Sequence, residues 1–141
     1  MSVTIIEVAV TVQVPLERAW ECWTKPEHIV HWNSASADWH TPHASNDLVT
    51  GGTFLYRMEA RDGSMGFDFG GVYDVVIPQE RIEYHLGDGR RVVIRFSGNG
   101  NETTIRQDFD AETVHSVDLQ RQGWQAIMDH YKSYSEQLSS N

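Results

Sequence analysis

Three tyrosines and one glutamine are the side chains whose spacing best suits them to chemistry. Tyr56, Tyr73 and Tyr84 each stand on the apolar side of a run that alternates apolar and polar residues. Gln107 stands the same way between Ile105 and Phe109. A phenol or amide on a buried strand face needs a hydrogen-bond partner, because an unpaired one costs about 1–3 kcal/mol. Tyr131 or another side chain could pair with Gln107, which is the simpler reading, or a bound molecule could. Catalysis here would fall to an inward tyrosine, or to a histidine at a pocket mouth, acting as general acid on a bound carbonyl.

The other chemistry-bearing residues give less. His28-x-x-His31 and His40-x-x-His43 have the spacing of paired metal ligands. No cysteine framework accompanies them, so the expectation is surface histidines and no metal. Strand parity turns Glu59, Asp68, Asp74 and Glu83 outward, which leaves no inward carboxylate pair for acid–base work. There is no nucleophile elbow, no phosphate-cradling glycine loop and no dinucleotide fingerprint, and no cofactor is implied. The single cysteine, Cys22, lies between Trp20 and Trp23 with the character of a buried, inert thiol.

The elements that must position these residues follow from periodicity. Ile6, Val8, Val10, Val12 and Val14 alternate with Glu7, Thr11 and Gln13, making a first strand over about Thr4 to Val14. Pro15 ends it and suits the first turn of a short helix carrying Leu16, Ala19, Trp20 and Trp23. Thr24-Lys25-Pro26-Glu27 reads as a capping box opening a second short helix with Ile29, Val30 and Trp32 on its apolar side.

Asn33 to Asp47 lacks periodicity and reads as a long loop, a candidate lid carrying Trp39. Five alternating strands follow. Their apolar sides are Phe54, Tyr56, Met58; Phe67, Phe69, Tyr73, Val75; Ile82, Tyr84, Leu86; Val92, Ile94, Phe96; and Ile105, Gln107, Phe109. Turns at Asp62-Gly63, Pro78-Gln79, Gly87-Asp88-Gly89 and Gly98-Asn99-Gly100-Asn101 separate them.

A final helix, capped by Ser116, carries Val117, Trp124, Ile127, Met128, Tyr131 and Leu138 on one stripe. Gly123 inside it predicts a close approach of the helix backbone to the sheet. The fold class is therefore α+β, a half-buried antiparallel meander closed by one long helix.

With 141 residues the chain predicts one domain, residues 1–141. Its 40% apolar and 22% charged residues are ordinary for a globular protein. A net charge of -9 argues against a nucleic-acid partner and against an anionic membrane surface. The N-terminal residues lack a basic segment and a long apolar run, so neither a secretory signal nor a membrane span is expected. The lone cysteine fits a reducing compartment and a cytoplasmic location. A homodimer is compatible with the sequence, though no residue requires it.

The order of elements, with certain fragments, resembles the helix-grip fold of the START-like (Bet v 1-like, SRPBCC) superfamily. The finer resemblance is to the branch named after the C-terminal domain of the Hsp90 ATPase activator. The fragments are Pro15-Leu16-Glu17-Arg18-Ala19-Trp20, Thr24-Lys25-Pro26-Glu27 with Trp32, Gly51-Gly52-Thr53-Phe54 and Asp62-Gly63. Further on come Gly71-Val72-Tyr73 with Pro78, Arg81-Ile82, Phe96, Thr104 and Gly123-Trp124.

The resemblance implies a curved sheet wrapped around the last helix, with a cavity between them. It does not imply one job, since members include lipid carriers, polyketide cyclases and aromatases, hydrolases and a co-chaperone domain. The co-chaperone activity is not carried over, because the activator has a separate N-terminal domain for which this chain has no room.

The site expected from these strands is lined by Trp32, Trp39, Phe54, Tyr56, Met58, Phe67, Phe69, Tyr73, Tyr84, Gln107, Trp124, Met128 and Tyr131. Aromatic walls with a few polar tips suit a small apolar or aromatic ligand. The alternatives are a cyclase- or aromatase-type enzyme in the same cavity, and a protein-interaction module whose rings simply fill a core.

Overall fold

The computed structural model describes residues 4–139. The elements run β1 (Ile5–Val12), α1 (Leu16–Thr24), α2 (Pro26–Trp32), β2 (Trp39–Asn46), β3 (Thr53–Ala60), β4 (Gly66–Ile77), β5 (Arg81–Leu86), β6 (Arg91–Asn99), β7 (Glu102–Asp110) and α3 (Val117–Ser139). The strands form one antiparallel sheet in the order β1-β7-β6-β5-β4-β3-β2. Its curved inner face holds α3, and α1 and α2 close one end. This is the α+β architecture anticipated from the strand pattern, in the helix-grip arrangement that the resemblance implied.

Alternation explains most of the sheet. β1 buries Ile6, Val8, Val10 and Val12 and exposes the residues between them. Register then lines the inward residues up in rows. One row crosses Val8, Gln107, Ile94, Ile82 and Val76; the next crosses Ile6, Phe109, Val92, Tyr84 and Tyr73. The first row contains Val76 where simple parity predicts Val75. A bulge between Tyr73 and Val75 absorbs one residue, Asp74, whose carboxylate accepts a hydrogen bond from His85 Nδ1 at 2.9 Å. Such a bulge flips the parity of everything beyond it.

Three further expectations are corrected. The stretch read as a lid over Asn33–Asp47 is mostly strand: Trp39–Asn46 forms β2, paired with β3 at the edge of the sheet. It shows no alternation because an edge strand with Pro42 and His43 exposed has little apolar face to declare. The capping box at Thr24 does not form. Thr24 Oγ1 donates instead to Trp20 O at 2.7 Å, and Lys25 is the N-cap of α2, without a side-chain cap bond. Ser116 does cap α3, its Oγ accepting from Leu119 N at 3.1 Å.

The third correction concerns Gly123. A Cβ built there meets nothing within 4 Å, so no close packing demands glycine. Gly52 and Gly71 are positions where contact with backbone does demand it. A Cβ at Gly52 would clash with Asp47 O, and one at Gly71 with His85 O, the latter also lying 3.2 Å from the Phe54 ring. Gly123→Ala is therefore expected to raise stability by about 0.5–1 kcal/mol, through helix propensity and a less flexible unfolded chain. Urea unfolding measures it, and a loss of stability would mean that the helix needs this glycine.

Candidate functional site

Two aromatic clusters cover the inner face of the sheet. The first joins α1, α2, α3 and β6. Trp23 lies 5.0 Å from Trp32, 4.9 Å from Tyr131 and 6.0 Å from Phe96, measured between ring centroids. The second lies on β3, β4 and β5, where Phe54 lies 4.7 Å from Tyr84, 5.2 Å from Tyr73 and 5.1 Å from Tyr56. Trp124 of α3 stacks on Phe109 at 3.9 Å and meets Phe69 edge-on at 6.2 Å. The clusters do not meet everywhere. Between them lies a cavity of about 190 Å³.

The sheet supplies most of the cavity wall. Phe54, Tyr56 and Met58 come from β3, Phe67, Phe69 and Tyr73 from β4, and Ile82, Tyr84, Ile94 and Gln107 from β5, β6 and β7. Trp124 and Ile127 of α3 form the roof, and Trp23, Thr24, Trp32, Asn33 and Leu48 close the far end. Ten of the residues singled out from sequence thus stand at the cavity: Trp32, Phe54, Tyr56, Met58, Phe67, Phe69, Tyr73, Tyr84, Gln107 and Trp124.

Three stand elsewhere. Trp39, expected on a lid, is on β2 and packs against Phe67 at 5.9 Å outside the cavity wall. Met128 and Tyr131 are fully buried core. Tyr131 donates its hydroxyl to Ala19 O at 2.7 Å, tying α3 to α1, and so is not the partner of Gln107.

The wall residues absent from the sequence expectation are Trp23, Thr24, Asn33, Leu48, Ile82, Ile94 and Ile127. Ile82 and Ile94 carry the same inward parity as the tyrosines, a signal that aromaticity overshadowed. Thr24, Asn33 and Leu48 lie at element ends, where no period speaks.

The polar atoms at the wall divide into satisfied and unsatisfied. Tyr56 and Tyr73 interact through their hydroxyls, Tyr73 also reaches Asn46, and Asn46 Nδ2 donates to Thr24 O at 2.7 Å. Asn33 Nδ2 donates to Thr41 Oγ1 at 3.2 Å. The Gln107 backbone is paired in the sheet, but its side-chain amide, at the cavity wall, makes no hydrogen bond to any described residue, although the residue is only 6% exposed.

Burial pushes the hydroxyls of Tyr56, Tyr73 and Tyr84 above the ordinary tyrosine range. For Tyr56 and Tyr84 the neighbouring tyrosines push further in the same direction. All three therefore stay protonated at neutral pH and can donate. None of the described lining residues is Asp, Glu, His, Lys, Arg or Cys.

The histidine pairs have different neighbours. His28 Nδ1 is 2.6 Å from the Tyr134 hydroxyl, and His31 stacks on the Tyr134 ring at 5.4 Å. His40 and His43 are on β2, with His40 Nε2 4.0 Å from Glu59. Among the described residues no group of three or more His, Cys, Asp or Glu could hold a metal ion. No described helix is long and apolar enough to cross a membrane.

A model of the family Activator of Hsp90 ATPase homolog 1-like protein matches residues 13–136. Among solved structures, the AHSA1-like protein from Aeromonas hydrophila is 38% identical, with a TM-score of 0.86 and 96% of each chain covered. Chr148 from Cytophaga hutchinsonii is 49% identical, with a TM-score of 0.81, covering 96% of this chain and 94% of that one. Protein NE0264 from Nitrosomonas europaea has the same fold at 18% identity, with a TM-score of 0.81 and 97% of each chain covered. No curated protein matches the chain.

Proposed function

The chain belongs to the Activator of Hsp90 ATPase homolog 1-like family, and on that premise we propose that it binds one small apolar or aromatic molecule between its sheet and α3. The observation that carries this reading is the void itself. Rings that could have interdigitated leave about 190 Å³ walled mainly by apolar side chains. Natural cores pack to crystal density and keep few voids larger than a water molecule. A cavity of about 150 Å³ lined by apolar side chains stays dry and takes up benzene. By that comparison the cavity takes one or two fused rings.

The same size weighs against a large polycyclic substrate of the cyclase kind. The lining adds to that: acid–base work would fall to tyrosines that burial holds protonated. A carrier or sensor of a small ring compound needs no ionising group there, and none of the described wall residues titrates near neutral pH.

Naphthalene is a suitable probe. Titrated into 15N-labelled protein, it is expected to shift the indole resonances of Trp32 and Trp124 and the amides of Ile94 and Gln107. The indole of Trp39, outside the wall, should not move. Ten apolar ring carbons predict a Kd on the order of tens of micromolar. Saturating naphthalene with no shift at the cavity wall would overturn the proposal.

A further inference from the structure

Six polar residues are buried among those described: Thr24, Thr41, Thr103, Gln107, Gln120 and Ser135. Five are paired. Thr24 donates to Trp20 O, Thr41 to Asn33 O, Thr103 to Val14 O and Ser135 to Lys132 O. Gln120 uses both ends of its amide, donating to Glu112 O and His115 O and accepting from Glu112 N. Gln107 is the exception. Its neighbours across the sheet are Val8 and Ile94, and its neighbours along β7 on the same face are Ile105 and Phe109. None offers a side-chain hydrogen-bond partner, and Gln107 lines the cavity. A buried amide is retained against its desolvation cost only where something completes it.

We infer that the cavity selects an uncharged ring amide, a lactam whose adjacent N–H and C=O pair edge to edge with the Gln107 side chain. This rests on the reading of the cavity as a ligand site and names the class of ligand. A carboxamide presents one acceptor oxygen and two donor hydrogens in one plane. A phenol completes one of those functions and leaves the other buried and bare. A carboxylate can accept from the amide nitrogen, but it faces the amide oxygen and finds no cation on the described wall to offset its charge. A lactam completes both functions and brings no charge. A bicyclic lactam matches the space, and Tyr84, whose hydroxyl bonds to no described residue, offers one further donor on the same inner face.

The test compares 2-quinolone, naphthalene and 2-naphthoate, three ligands of similar outline, by calorimetric or NMR titration of the full chain. In the wild type, 2-quinolone is expected to bind at least about tenfold more tightly than naphthalene, and 2-naphthoate more weakly than naphthalene. Gln107→Leu is expected to bring the quinolone-to-naphthalene ratio to about one. Quinolone weakens there and naphthalene strengthens, since no amide is left to desolvate. Gln107→Met, unbranched and of similar length, serves if the leucine variant fails to fold.

Naphthalene bound with 2-quinolone no tighter, or a quinolone preference that survives the loss of the amide, would overturn the lactam and leave the cavity reading standing. If none of the three binds, both fall.

Discussion

Ile94→Trp is expected to weaken naphthalene binding by at least about 100-fold while leaving unfolding stability within about 1 kcal/mol of wild type. Ile94 lies in the middle of the sheet, between Ile82 and Gln107 in the same cross-strand row, and its side chain forms part of the cavity floor. An indole there enters the space a ligand would use, against a void of about 190 Å³. A 100-fold loss corresponds to about 2.7 kcal/mol, within the reach of steric exclusion from one buried site.

Stability is the more discriminating readout. Extra atoms forced into a filled core cost about 1–3 kcal/mol, because neighbours must leave their rotamers. Atoms placed in an empty cavity gain contacts instead. Denaturant unfolding of the variant therefore asks whether the space is real, independently of any ligand. A loss of more than about 2 kcal/mol would mean that the rings close up in solution and that the molecule has a packed interior.

Tyr131→Ala is expected to cost about 3–5 kcal/mol of stability, and Tyr131→Phe about 1–3 kcal/mol. The ring is fully buried between Trp23 and Trp32, and its hydroxyl gives Ala19 O a bond at 2.7 Å. Removing the ring opens a cavity at the junction of all three helices. Removing the hydroxyl alone leaves a helix carbonyl without its cross-helix partner. The phenylalanine variant should nevertheless bind naphthalene within about twofold of wild type, because Tyr131 stands behind the wall. Unfolding and titration of the same sample check both halves. A Phe variant of normal stability with impaired binding would place the residue at the ligand after all.

Which aromatic residues pack and which face open space was only partly legible. On the strands, parity sorted Tyr56, Tyr73, Tyr84 and Gln107 from Glu59, Glu83 and Asp108, because period two leaves each side chain one of two faces. On α3, one stripe contains Trp124, Ile127, Met128 and Tyr131, and helical period cannot divide it. The stripe runs the length of the sheet, but the void underlies only one part of it. Trp124 and Ile127 therefore roof the cavity while Met128 and Tyr131 fill the core.

β2 was not legible at all. At the sheet edge, its His40, Pro42, His43 and Ser45 are not arranged by any apolar face. The bulge at Asp74 was hidden too, since the extra residue becomes visible only when β4 is laid against β5.

By itself the sequence determined that strands alternate, which face they bury, that the buried face is rich in rings and carries one amide, and that a long helix covers it. These are local properties, dictated by the geometry of a single strand or helix and the hydropathy along it. The tertiary structure alone decided that the rings stop short of one another, and that the Gln107 amide finds no partner among the described residues where the Gln120 amide makes three hydrogen bonds. Both depend on sheet curvature and on where α3 crosses. A void or an unmet hydrogen bond is a relation among five or six distant elements, and no window along the chain contains it.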